Sequence, residues 1–233
     1  MKVGTDGVLL GAWASQHAAQ TSTSTPPHSA LHTLPSKLRC LDIGTGTGVI
    51  ALMLAQRFPS AQIEGIDIDE ASLLQAKENV EASRFADRVS IRKADFIDLK
   101  SFTNRYNLIV SNPPFYTEET LSGNQTRDKA RHTVSLPFEV LIGNAAQLLT
   151  EEGLFSVIIP YQSASGFIST CAFHQLYLMR RTDVRSSERK PFKRTLLEFG
   201  RNIRPVDASM MTLHNTENQR TAEYAELTKE FYL

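Results

Sequence analysis

The run Leu41-Asp42-Ile43-Gly44-Thr45-Gly46-Thr47-Gly48-Val49 restricts the fold more than any other stretch of this chain. An apolar strand-like segment, 38–43, enters it and an apolar helix-like segment, 49–58, leaves it. Glycine reaches φ > 0 without steric penalty and lets the backbone come close to a ligand. A helix that starts directly afterwards presents unpaired N–H groups. The spacing is G-x-G-x-G after an acid, not the G-x-G-x-x-G of a dinucleotide loop that seats a pyrophosphate on its helix. Asp42 would repel a phosphate, but it could pair with a cationic ligand or hold the loop and waters around an amino-acid moiety.

The same alternation continues along the chain. Strands are expected over 61–68, 88–92, 106–111 and 154–159, with helices over 70–83 and 137–149 between them. Strands alternating with helices at this spacing imply βαβ units, hence a doubly wound, mostly parallel sheet in an α/β protein. Segments 167–173, 175–184, 194–200 and 210–214 read as a helix followed by mostly antiparallel strands, and 221–231 as a terminal helix. Ahead of the sheet, Asp6 is expected to cap an apolar helix running to about Ala14. The Ser/Thr/Pro-rich stretch 17–36 is expected to be a flexible surface loop within one domain spanning 1–233.

Asp67 and Asp95 fall at the ends of the second and third strands. An acid at the first of these positions can accept hydrogen bonds from ribose hydroxyls, and one at the second could meet an adenine amine. Together with Asp42, Gly44, Gly46 and Gly48 they describe a site for S-adenosylmethionine, which carries an ammonium and a sulfonium and no phosphate.

Asn112-Pro113-Pro114-Phe115 follows the fourth strand, at the edge where open α/β sheets bind ligands. Two prolines fix φ near −65° and remove two donors, leaving carbonyls free to accept. The Asn112 side-chain carbonyl and the Pro113 backbone carbonyl could take both hydrogens of an exocyclic amine. Such an amine is a poor nucleophile, because its lone pair is delocalised into the ring. Two fixed acceptors favour an sp³-like nitrogen and stabilise the charge that develops as it attacks a methyl group. Phe115 offers a stacking face for a base. The catalytic residues expected are therefore Asn112, Pro113, Pro114 and Phe115.

Charge and cysteine content add boundaries. The formal net charge is zero, yet between residues 180 and 204 nine basic residues face three acidic ones, a local surplus able to meet phosphates. Arg127, Lys129, Arg131 and His132, in the long polar stretch 117–133, could grip a nucleic-acid backbone. Cys40 and Cys171 belong to no metal-spaced pair and are expected to be small buried hydrophobes, which suits a reducing cytoplasm. No apolar run reaches the ~18 residues that span a bilayer, and no signal peptide is expected.

The glycine loop and the Asn-Pro-Pro-Phe turn together resemble the seven-stranded class I amino methyltransferases. Met1-Lys2-Val3-Gly4-Thr5-Asp6-Gly7-Val8-Leu9-Leu10-Gly11-Ala12-Trp13, Ala130-Arg131-His132-Thr133 and the chain end from Tyr224 to Leu233 resemble the bacterial tRNA1(Val) (adenine-37) N6-methyltransferase family. That resemblance implies a monomeric cytoplasmic enzyme, without metal, that methylates the adenosine next to the anticodon of a valine tRNA. It also implies that Lys2, Gly4 and Thr5 fold over the cofactor opposite the glycine loop. In the family an aromatic- and Lys/Arg-containing segment precedes this signature, so a longer start is expected. A glutamine-N5 methyltransferase of release factors, or a non-catalytic cofactor-binding partner of an RNA-modifying assembly, are the alternatives.

Overall fold

The computed structural model describes residues 4–15, 38–98, 105–114 and 137–231. Residues 17–36 and 117–133 lie outside this set. Eight strands form one sheet in the order β3-β2-β1-β4-β5-β7-β6-β8. They are β1 Arg39–Ile43, β2 Gln62–Asp67, β3 Val89–Lys93, β4 Tyr106–Ser111, β5 Leu149–Pro160, β6 Tyr177–Ser187, β7 Arg194–Gly200 and β8 Asp207–His214. The helices are α1 Thr5–Trp13, α2 Val49–Arg57, α3 Glu70–Glu81, α4 Phe138–Leu148, α5 Ala164–Phe173 and α6 Ala222–Thr228.

The doubly wound α/β fold is as expected, with one strand more than the seven implied. β7 runs antiparallel to β5 and β6, while β8 adds to the outer edge parallel to β6 rather than antiparallel. β8 escapes a pattern reading because Asp207, Ala208, Ser209 and Met210 are all exposed, and only Met211 and Leu213 turn inward. β5 is also longer than expected: it follows α4 without a turn, and a register shift lets both Leu149 and Leu154 pair with β4.

Alternation along the strands feeds two cores. Cys40, Ile63, Leu108, Val110, Ile158 and Leu196 pack on one face. Leu41, Ile43, Ile109, Phe155, Val157, Leu197 and Phe199 pack on the other. Because both faces are covered, these central strands read as continuous apolar runs. Both cysteines are buried, and burial pushes their thiols far above the ordinary range, Cys40 to about 12.

Helix α1 is apolar all round, which marks a helix buried on every side, and Val8 to Trp13 are all buried. Gly11 allows α2 its close approach, since a Cβ there would stand 2.7 Å from Met53 Sδ. Asp6 does not cap α1: Gly4 is the N-cap, without a side-chain bond, and Asp6 instead accepts from Arg194 Nε at 2.8 Å.

Candidate functional site

The carboxyl ends of the parallel strands bring the expected residues together. β1 pairs with β2 through Ile43 and Ile66, and with β4 through Ile43 and Ser111. Asp67, the Gly44–Gly48 loop and Asn112 therefore sit in a row on adjacent strands. At ~4.8 Å per strand the row from Asp67 to Asn112 is about 10 Å long.

The loop is pinned from below. Gly44 N and Thr45 N both donate to Ile66 O at 2.9 Å, and Gly48 N donates to Thr45 O at 2.9 Å. Asn79, from α3, donates to Thr47 O at 2.9 Å. Asp42 is completely buried, and its Oδ2 accepts from Thr45 Oγ1 at 2.7 Å and Ala51 N at 3.2 Å. Of the two roles open to it, the geometry shows the second: Asp42 ties the loop to the first turn of α2. Burial raises its carboxyl to about 7, against the lowering effect of Thr45 and Ala51. Its Oδ1 is buried without a hydrogen-bond partner.

Gly44 and Gly46 have φ of 70° and 54°, and a Cβ at either would meet nothing within 4 Å. The backbone there is left-handed and faces open space, so a ligand can lie directly on it. Gly48, at φ 81°, is the N-cap of α2, and its Cβ position is 3.4 Å from Ala76. The half-buried Asp67 accepts from Gly46 N through Oδ2 at 2.8 Å and from Asp69 N through Oδ1 at 3.0 Å. A carboxylate has about four acceptor positions, so each oxygen keeps capacity for a further donor. An open left-handed loop and a part-used carboxylate, set above a buried acid, suit a ligand that is both cationic and sugar-bearing. Asp95 is exposed beyond β3, and its Oδ1 accepts from Ile97 N at 2.9 Å.

Asn112 is half-buried, Pro113 buried and Pro114 exposed. Ser111, just before them, is buried and donates to Ile43 O at 3.0 Å, which locks the end of β4 to the start of the glycine loop. No described group is hydrogen-bonded to the Asn112 amide. Phe115 lies outside the described residues, as do Lys2, Arg127, Lys129, Arg131 and His132.

Gly4 and Thr5 are exposed at the start of α1. The Cβ position of Gly7 is 3.8 Å from Ile50 of α2, so this helix start lies beside the helix that leaves the glycine loop. The other end of α1 is clamped. Arg57 Nη1 donates to the carbonyls of Gly11, Ala12 and Ala14 at 2.8, 3.1 and 2.7 Å. Ser15 N donates to the buried Glu198 at 2.7 Å, and Trp13 Nε1 to Thr182 Oγ1 at 2.9 Å. Arg180, counted in sequence among cations for phosphates, is only 4% exposed. It lies 3.5 Å from the Trp13 ring centroid and donates to the Trp13 carbonyl, because an indole face and a helix C-terminus together hold a guanidinium.

Thr45, Asn79 and Arg57 support the site without being singled out in sequence. Each acts through a contact distant in the chain or through an ordinary-looking residue type, so no short motif betrays it. A groove of about 520 Å³ opens at the amino ends of β1, β2 and β4. Its carboxylate, Glu64, is already met by Arg92, Arg105 and the Tyr106 hydroxyl. Among the described residues, no group of three His, Cys, Asp or Glu could hold a metal ion, and no helix is long and apolar enough to cross a membrane.

Residues 28–182 match the family model of the methyltransferase small domain. The tRNA1(Val) (adenine(37)-N6)-methyltransferase of Porphyromonas gingivalis strain W83 is 41% identical over 240 residues, covering all of this chain and 89% of the relative. The proteins of that name from Flavobacterium johnsoniae and Pectobacterium carotovorum are 40% and 38% identical, over all of this chain and 93% and 88% of theirs. Among solved structures, a protein described as a predicted O-methyltransferase from Agrobacterium tumefaciens superposes with a TM-score of 0.70 at 17% identity, covering 96% of this chain and 95% of its own. A geranyl diphosphate C-methyltransferase from Streptomyces coelicolor, solved with S-adenosyl-L-homocysteine, gives 0.52 at 14% identity over 72% of this chain and 74% of its own. Likeness at that level shows the fold alone.

Proposed function

Because this chain belongs to the tRNA1(Val) (adenine(37)-N6)-methyltransferase family, we propose that it moves a methyl group from S-adenosylmethionine to the N6 amine of adenine 37 in a valine tRNA. The observation that carries this reading is the position of Asn112-Pro113-Pro114, one strand from the glycine loop at the carboxyl edge of the sheet.

S-adenosylmethionine supplies an electrophilic methyl on a positively charged sulfur. Gly44 and Gly46 provide the backbone on which it lies, and Asp67 accepts from the ribose hydroxyls. Asp42, through Thr45 and Ala51, would hold the glycine loop in shape around the amino-acid end. Gly4 and Thr5, with Lys2, close the site from the α1 side, and Asp95 takes the adenine amine of the cofactor. On the substrate, Asn112 and the Pro113 carbonyl accept the two amine hydrogens. They would fix the nitrogen beside the glycine loop and stabilise the positive charge that grows on it. Phe115 stacks on the base, which must leave its stack to reach the site. A single domain acts as a monomer in the cytoplasm and needs no metal.

The test is nucleoside-resolved mass spectrometry of an unmodified valine tRNA transcript after incubation with the purified protein and S-adenosylmethionine. N6-methyladenosine at position 37 is expected. Its absence, or methylation of a release-factor glutamine instead, overturns the reading.

A further inference from the structure

Among the described residues, the β6–β7 hairpin is a strongly charged element on the carboxyl edge of the sheet whose role is unassigned. Its placement follows from register. β5 ends at Pro160 on that edge and pairs there with Arg194, the first residue of β7. β6 leaves the pair Val184–Arg194 and continues through Ser187. The turn 188–193 therefore projects beyond the edge, past the ends of β4 and β5, by about 10 Å at ~3.3 Å per residue.

Residues 185–194 contain five cations, Arg185, Arg189, Lys190, Lys193 and Arg194, against the single acid Glu188. Two of the five have structural partners. Arg185 Nε donates to Thr212 Oγ1 at 2.9 Å, and Arg194 to Asp6. Arg189, Lys190 and Lys193 are exposed, and no described carboxylate pairs with them. The turn that carries them is fixed. Lys190 N donates to Ser187 O at 3.0 Å, Lys193 N to Val184 O at 3.0 Å, and Tyr161 N to Lys193 O at 3.1 Å. Phe192 packs on Tyr161, ring centroids 5.6 Å apart, and Arg185 lies 5.4 Å from the Phe192 ring.

The geometry points to this hairpin as the docking surface for the RNA backbone that flanks the target base, with Arg189, Lys190 and Lys193 as its phosphate contacts. The inference rests on the methyltransferase reading above. Asn112 on β4 is two strands from β7 and three from β6, a lateral separation of about 10–15 Å. At ~3.4 Å per phosphate of a stacked strand that covers about three or four phosphates. A base seated at Asn112 thus leaves its own strand crossing the hairpin. Three exposed cations clustered on this edge also help to orient an incoming polyanion toward the site before contact.

The experiment compares the full chain with the triple variant Arg189→Ala/Lys190→Ala/Lys193→Ala, using the unmodified anticodon stem-loop of tRNA1(Val) between 50 and 200 mM salt. A control variant, Lys77→Ala/Arg84→Ala, removes two exposed cations from the β3 side of the sheet. The triple variant is expected to keep its melting temperature and cofactor affinity while RNA affinity falls at least ten-fold. Its log–log salt slope should become shallower by about two, at ~0.7–0.9 per lost contact. KM for RNA should rise with kcat nearly unchanged, and Arg189→Lys/Lys190→Arg/Lys193→Arg should restore the parent values. A folded triple variant with the parent's affinity and slope overturns the inference, as does a control that weakens binding equally. Both outcomes leave the methyltransferase reading standing, since the parent still methylates. A parent that methylates no tRNA adenine overturns that reading first and the hairpin's role with it.

Discussion

In the proposed mechanism, replacing Asn112 by alanine removes one of two acceptors for the target amine and leaves the glycine loop intact, because the described contacts of that loop do not include Asn112. Single-turnover methyl transfer is expected to fall by about 10²–10³, the usual cost of losing one preorganised transition-state contact. Cofactor affinity by calorimetry should stay within a few-fold, and unchanged turnover would remove Asn112 from the mechanism. Asp42 makes a different prediction. Burial lifts its carboxyl from an ordinary 3.8 to about 7, so the folded protein binds a proton that the unfolded chain has lost. Its contribution to stability is therefore fully present below about pH 4 and is lost as pH rises toward 7. In Asp42→Asn the amide oxygen can still accept from Thr45 and Ala51, and that pH slope in the urea midpoint should disappear. The N–H₂ placed at the Oδ1 position is a buried donor without a partner, which disturbs the glycine loop, so cofactor affinity should drop by about 10–100-fold, in line with the ~1–3 kcal/mol cost of such a group. A variant that kept the parent's slope and affinity would show that Asp42 has neither role. At this scale the sequence was informative about position: Gly44, Asp67 and Asn112 lie together at the carboxyl edge of the sheet, as expected. It misled at Arg180, where a guanidinium on an indole looks like any surface cation until Trp13 is placed beside it.

Elements were legible in proportion to how local their causes are. β1, β2 and β4, α2 and α4 begin and end within two residues of expectation, because both-faces burial and glycine punctuation act within a few positions. β8 was expected as a strand but three residues too short and antiparallel, because its exposed half has no alternation and its orientation is set by β6, not by a turn of its own. The apolar character of α1 was plain, but not what ends it. Arg57 satisfies three of its last carbonyls and stays charged at neutral pH even though burial, and Arg180 nearby, draw it down to about 10. Arg57→Met keeps the packing stem and deletes the donors. It should lower unfolding free energy by about 2–3 kcal/mol, the cost of leaving buried polar groups unpaired. Urea denaturation measures this, and a loss below half a kcal/mol would mean that solvent or a neighbouring donor satisfies α1.

Across the molecule, α1 and α6 meet over α2. Met53 packs with Val8 and Ala12 on one side and with Leu227 and Phe231 on the other, and Gln56 donates to Glu230 O at 2.7 Å. Pairings of this span leave no trace in any window of sequence, which is why the sheet was readable and its closure was not. The local charge surplus was visible as composition, but only strand register shows that the hairpin bearing it stands on the methyl-transfer edge.

The clamp on α1 has a consequence in time. Ser15 and its partner Glu198 are 183 positions apart, so at ~5–20 residues per second a ribosome makes the second about 10–40 s after the first. For that interval α1 can rest only on α2, through Met53 and Arg57, while the partners of Trp13 and Ser15 on β6 and β7 are still missing. Synthesis can assemble the cofactor loop and the Asn-Pro-Pro turn early, but the helix beside them settles only when the last third of the protein arrives. The bonds that lock α1 beside the glycine loop are thus made only once β6 and β7 have been synthesised.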